Sequence, residues 1–217
     1  MPDLNFQIER AEPKLHAAAP TLVFALRVSQ AEDSATSIHT IALRCQIRVE
    51  PARRTYTTSE RERLRDLFGT PERWGQTLRP MLWTHVSLTV PPFCSTALVD
   101  LPVPCTLDFS LAAARYFDAL DDGEIPLLFL FSGTIFFEAN DGALQVCQIS
   151  WEKEAGFRLP AMTWRKLMDH YYPNTALLSL RKDVFERLER YRRDHGLLTW
   201  EHALDRLLSS ASEPVIP

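Results

Sequence analysis

Glycine is scarce in this sequence, with 7 residues in 217 against 15 prolines. Loops that cradle phosphate rely on backbone freedom that glycine supplies, so the composition already speaks against a nucleotide-binding loop. No Walker or dinucleotide fingerprint is present, because Gly69 and Gly75, and Gly133 and Gly142, have the wrong spacing. Long apolar runs are also missing. The longest, Ile125 to Phe137, falls short of the roughly 18 residues that a membrane helix needs and contains Pro126, Ser132 and Gly133. The N-terminus has neither a basic region nor an apolar core, so no secretory leader is expected. Paired cysteines are absent too. Cys45, Cys94, Cys105 and Cys147 are widely spaced, each in an apolar, strand-like segment, which predicts buried free thiols in the cytoplasm. Lysine is the rarer cation, 4 against 20 arginines, a ratio read as codon bias.

What is there describes a folded domain, 46% hydrophobic and 24% charged. The formal net charge of −4 is too mild to attract nucleic acid or an anionic membrane, and neither partner is expected. The charge is uneven, however. Residues 51–80 carry seven arginines and four acids, a net +3. Residues 99–160 carry ten acids against Arg115, Lys153 and Arg158, a net −7. Two such lobes are solvated faces, or they attract a protein partner or a second copy of the chain, a homodimer.

The first 110 residues read mainly as strands. Ile41, Leu43, Cys45, Ile47 and Val49 alternate with Ala42, Arg44, Gln46 and Arg48, which predicts a strand with one buried and one wet face. Leu22–Val28 and Leu82–Val90 repeat the pattern. In 97–107, Pro102 and Pro104 on the outer face place the strand at a sheet edge. Leu127–Phe137 reads as a central strand covered on both faces. Asn140-Asp141-Gly142 turns it into a partner strand, Leu144–Trp151. Thr57-Thr58-Ser59-Glu60 is a capping box opening a short helix stopped by Gly69. Asp108 or Ser110 caps a second, Leu111–Leu120, which ends in carboxylates that oppose its macrodipole. After Pro160 the stripes become helical: Trp164, Leu167, Met168 and Tyr171; then Val184, Phe185, Leu188 and Tyr191; then a helix capped by Thr199. The expected class is α+β: an antiparallel β-sandwich-like core over 1–160 with inserted short helices, a C-terminal helical subdomain over 161–210 packed on it, and a frayed tail over 211–217.

Chemistry is sparse. The six histidines and four cysteines show no CxxC, HxH or HExxH spacing, and no cofactor is expected. An alternative is a metal or small-molecule site from distant strands, with Cys94, Cys105 and His85. There is no GxSxG elbow, and no cysteine has a local activating partner, so no catalytic residue is assigned. Asp118, Asp121, Asp122 and Glu124 crowd one acidic turn, a candidate contact surface whose plain reading is a solvated turn. The segment 69–83 concentrates Arg73, Trp74, Arg79 and Trp83 among prolines and glycines. Trp and Arg dominate interface hot spots, so these four are the protein-binding candidates. The plain reading is that both tryptophans anchor a crossover to the core and both arginines pair with acids. The C-terminal order, a strand-like run at 175–181 followed by two helices, is that of a ribbon-helix-helix module, which dimerises through its strand. Its outward set, Leu177, Ser179 and Arg181, makes poor phosphate clamps, with a net +2 over 181–195.

Four strings span most of the chain: Ala-Leu-Arg-Cys-Gln-Ile-Arg-Val-Glu-Pro (42–51), Leu-Phe-Gly-Thr-Pro-Glu-Arg-Trp-Gly-Gln-Thr-Leu-Arg-Pro (67–80), Val-Asp-Leu-Pro-Val-Pro-Cys-Thr (99–106) and Tyr-Phe-Asp-Ala-Leu-Asp-Asp-Gly-Glu-Ile-Pro-Leu (116–127). By these the sequence resembles an uncharacterised bacterial domain-of-unknown-function family whose genes lie near those of nickel-iron hydrogenases. The resemblance implies an accessory or assembly role for a redox enzyme and supplies no catalytic residue. The expected function is a non-catalytic factor that binds a protein partner.

Overall fold

The computed structural model describes residues 2–30, 36–106, 111–139, 141–176 and 178–212. In chain order its strands are β1 (Leu4–Pro13), β2 (Thr21–Gln30), β3 (Ile38–Val49), β4 (Met81–Val90), β5 (Thr96–Pro104), β6 (Glu124–Glu138), β7 (Leu144–Gln148) and β8 (Glu154–Pro160). They form two antiparallel sheets packed together. One runs β1-β2-β5. The other runs β4-β3-β6, with β7 and β8 both paired to β6.

Burial follows the pleat. On β3, Ile41, Leu43, Cys45, Ile47 and Val49 are buried while Ala42 and Arg44 are exposed. Phe24 of β2 sits at the centre of the core, its ring edge-on to Phe129 at 5.1 Å, Phe157 at 5.8 Å and Trp83 at 6.3 Å. β5 is an edge strand with Pro102 and Pro104 exposed, as the missing N–H donors require. β6 departs from expectation. Ile125, Leu127, Phe129 and Phe131 are buried, but Leu128 and Leu130 on the opposite face are only half-buried. Their cross-strand neighbours are the polar Arg48 and Gln46.

Two strands escaped the sequence reading. β1 carries the alternation Leu4, Phe6, Ile8, and β8 is short, with Gly156 thinning its apolar pattern. β7 ends three residues before the expected Trp151. In the β6–β7 turn Asp141 Oδ1 accepts from Ala143 N at 3.0 Å and Gly142 adopts φ +80°; Asn140 lies outside the described residues.

The helices are α1 (Thr58–Arg63), α2 (Arg65–Phe68), α3 (Trp74–Thr77), α4 (Leu111–Asp118), α5 (Ala161–Tyr171), α6 (Lys182–Asp194) and α7 (Trp200–Ser212). The capping box forms as expected: Thr57 Oγ1 accepts from Glu60 N at 3.2 Å, and Glu60 Oε2 accepts from Thr57 N at 2.9 Å. The single helix expected up to Gly69 divides at Leu64. The cap candidates Asp108 and Ser110 lie outside the described residues.

Two compact units result, Met1–Thr175 and Ala176–Pro217. α5 belongs to the first, where the Tyr171 hydroxyl accepts from Ala17 N at 2.9 Å and donates to Lys14 O at 2.8 Å. The second holds α6 and α7. Helix α7 continues to Ser212, past the expected start of a frayed tail, and 213–217 lie outside the described residues.

Candidate functional site

The segment 69–83 is built inward. Trp74 is 8% exposed, donates from Nε1 to Gly69 O at 3.0 Å, and meets the rings of Tyr56 at 5.2 Å and Phe68 at 6.2 Å. Trp83, the third residue of β4, is 4% exposed and packs edge-on to Phe117 of α4 at 5.1 Å and Trp164 of α5 at 6.4 Å. Both tryptophans are therefore core anchors. Arg73 and Arg79 remain exposed, and the Arg79 Nε donates to Gln76 O at 3.1 Å.

The acidic turn after α4 is gripped by arginines from the basic stretch. Arg54 donates from Nη2 to Glu60 Oε1 at 2.7 Å and to Asp122 O at 3.1 Å, and from Nη1 to Glu124 O at 3.1 Å. Glu60 is 1% exposed, and its Oε1 also accepts from Asp121 N at 3.0 Å. Arg63 donates to Ala119 O at 2.9 Å and to the Asp121 carboxylate, and Arg165 donates to Leu120 O. Cationic guanidiniums thus satisfy carbonyls at the C-terminal end of α4, where the helix dipole is negative. Part of the +3 and −7 imbalance is neutralised inside the molecule. Asp118 is bound from the other side, accepting from Trp164 Nε1 at 2.8 Å; burial pushes its carboxyl above the ordinary range. The Glu124 carboxylate is 3.8 Å from Arg158. An open groove of about 650 Å³ follows this turn, lined by Arg53, Arg54 and Arg158 among others. Each of these guanidiniums already has a carboxylate within 4 Å, Glu50, Glu60 and Glu124 in turn.

Beneath the turn, the hydroxyls of Tyr56 and Tyr116 lie 2.8 Å apart, and the Tyr56 hydroxyl is 2.7 Å from Pro51 O. Burial pushes the Tyr116 phenol up to about 12 and raises that of Tyr56 as well. Both stay protonated and act as packing groups with a polar tip.

Cys94 and Cys105 flank β5 at opposite ends, roughly 30 Å apart at the rise of a strand, and His85 is exposed on the other sheet. The fold does not bring the three together. Among the described residues no cluster of three His, Cys, Asp or Glu side chains forms. Three thiols are buried as expected, but Cys94 is exposed in the turn before β5. Burial pushes the Cys45 and Cys105 thiols up to about 12, so neither is a thiolate at neutral pH.

Among the described residues, the most exposed aromatic side chain lies elsewhere. β7 and β8 run one after the other along β6, and between them the chain bulges out at Ser150–Glu152. Ile149 N donates to Gly133 O at 3.0 Å before the bulge, and Phe131 N donates to Lys153 O at 2.9 Å after it. Trp151 at its tip is 91% exposed. Leu144 and Val146 are exposed on the same sheet edge. Opposite the bulge Gly133 adopts φ +141°, and a Cβ there would lie 2.1 Å from Ala42 O, so glycine is required. Lys153 then ties the end of the bulge to Asp3 at 2.7 Å.

The family model described as a family of unknown function (DUF6084) matches residues 1–215. The chain belongs to DUF6084. No curated protein matches it. Among solved structures, a protein described as late embryogenesis abundant (LEA) is 14% identical over 75% of each chain, with a TM-score of 0.31, a likeness too weak to inform function. No helix among the described residues is long and apolar enough to cross a membrane.

In this DUF6084 member the sequence reading missed Arg54, Glu60, Arg63 and Arg165 as a connected group, and Trp151 as a surface feature. The capping box did single out Glu60, but its partner Arg54 lies outside the box. For Trp151 the available signal was its polar flanks, Ser150 and Glu152-Lys153-Glu154, directly after an apolar strand.

Proposed function

We propose that this protein is a non-catalytic, cytoplasmic accessory factor that binds a protein partner through the sheet edge carrying Trp151. The observation that carries this reading is Trp151 itself, 91% exposed at the tip of a bulge whose base is held by main-chain hydrogen bonds and by Lys153–Asp3. An indole presented on a fixed support loses little conformational freedom on binding and buries much area, which is the physics of a hot spot. The buried, protonated thiols and the internally engaged carboxylates support binding over catalysis. Buried unpaired cysteines suit a reducing compartment. The resemblance to a family encoded beside nickel-iron hydrogenases makes a hydrogenase subunit or its maturation proteins the first partners to test.

The test is affinity capture from the native host with wild type, Trp151→Ala and Arg79→Ala, after matching their melting temperatures. A partner lost with Trp151→Ala, weakened about 30-fold or more in a purified binding assay, and kept with Arg79→Ala is the expected result. Equal capture by Trp151→Ala, or no partner with any of the three, refutes the reading.

A further inference from the structure

The acidic stretch 99–160 keeps a remainder of negative charge once the α4 turn has been neutralised. Asp121 and Glu124 have arginine partners, and Asp118 is held by Trp164. Glu138, Asp141, Glu152 and Glu154 differ. All four are exposed, and among the described residues no basic side chain lies within 4.0 Å of their carboxylates. They flank the Trp151 edge along the chain. Glu138 and Asp141 stand where β6 turns into β7, before Leu144 and Val146, and Glu152 and Glu154 follow the indole directly. Over 138–154 these four acids face Lys153 alone, a net −3.

That lysine is withdrawn from the edge, its side chain 18% exposed and its ammonium 2.7 Å from Asp3. Elsewhere on the sheet Arg158 faces Glu124, while Arg44 and Arg48 stand on β3, two strands in and about 10 Å from the edge. An exposed indole framed by uncompensated carboxylates selects the sign of what meets it. Nucleic acid and anionic lipid are repelled. A guanidinium suits both parts, since it stacks flat on an indole and pairs with a neighbouring carboxylate. A second copy of this chain is poorly placed to supply it. Of the seven arginines at 51–80, Arg53, Arg54, Arg63 and Arg65 already have carboxylate partners.

We infer that the partner of the Trp151 edge presents a cationic, arginine-bearing protein segment. One guanidinium stacks on Trp151 and pairs with Glu152 or Glu154, and further cations meet Glu138 and Asp141. The inference rests on the reading of Trp151 as the contact and adds the chemistry of what it contacts. Charges at the rim of such a surface act mainly on the rate of encounter and on its salt dependence, while the buried indole sets how long the complex lasts.

The probe is a phage-displayed library of random peptides of about 12 residues, which reach about 40 Å when extended, panned on the full chain. Peptides whose binding is lost with Trp151→Ala are synthesised. Their association is then followed with wild type, Glu152→Lys/Glu154→Lys, Glu138→Lys and Arg79→Ala, all of matched melting temperature. These peptides are expected to be basic and rich in arginine. Their association rate is expected to fall about 10-fold between about 50 and about 300 mM salt. At low salt Glu152→Lys/Glu154→Lys should lower it by about the same factor, Glu138→Lys by about 3-fold, and Arg79→Ala not at all. Trp151-dependent peptides that are neutral or acidic, or that bind Glu152→Lys/Glu154→Lys as fast as wild type, overturn this inference and leave the Trp151 reading standing. Basic peptides that bind Trp151→Ala as well as wild type, or the lack of any Trp151-dependent peptide, overturn both.

Discussion

Arg54 Nη2 donates to Glu60 Oε1 at 2.7 Å in the interior, the side chains being 10% and 1% exposed. Through this pair the segment leading into α1 holds the turn that leaves α4. Two buried charges earn little net stability together, but removing one strands the other.

Arg54→Ala is therefore expected to cost about 3–5 kcal/mol, read as a lower urea midpoint at constant slope. Arg54→Ala/Glu60→Ala should cost less than the sum of the singles, because neither charge is then left alone. A loss under about 1 kcal/mol for Arg54→Ala would place the pair in the class of surface bridges.

The tryptophans and arginines of 69–83 separate in the same assay. Trp74→Ala removes a buried ring from the Tyr56 and Phe68 cluster, and a loss of about 3–5 kcal/mol is expected. Arg79→Ala should stay within about 0.5 kcal/mol of wild type. Similar losses for both would contradict the burial seen here.

Asp118 gives a pH signature. Burial raises its carboxyl above 3.8, against the opposing pull of the Trp164 hydrogen bond and Arg165. The native state then takes up this proton at a higher pH than the unfolded chain. Its contribution to stability rises as pH falls from neutral through the raised value toward 3.8. Asp118→Asn keeps an acceptor for Trp164 Nε1 and removes the titration. The variant should be at least as stable as wild type at neutral pH, and that advantage should shrink on acidification in thermal melts. An advantage that grows on acidification would mean the shift has the opposite sign.

The strands whose two faces differ were legible. β3 announced itself because Arg44 and Arg48 stand between fully buried aliphatics, and β5 announced its edge position through Pro102 and Pro104. The capping box at Thr57 and Glu60 is local chemistry and formed as written. β8 was not legible, since Glu154–Pro160 holds only Ala155 and Leu159 as buried aliphatics around Gly156. The arginine grip on the α4 turn links residues 56 to 70 apart in sequence, and nothing local encodes that. Trp74 and Trp151 have similar polar neighbours, yet one is enclosed by Tyr56 and Phe68 and the other by solvent. Only the path of the chain separates them.

An open strand edge is a template on which other chains polymerise. Alongside β6, that edge is cut by the Trp151 bulge into pieces of five and seven residues. The edge of β5 is capped by Pro102 and Pro104, which offer no donors. These breaks blunt two of the four sheet edges, β1 and β4 being the other two, so the contact proposed at Trp151 is one made by side chains rather than by an added strand.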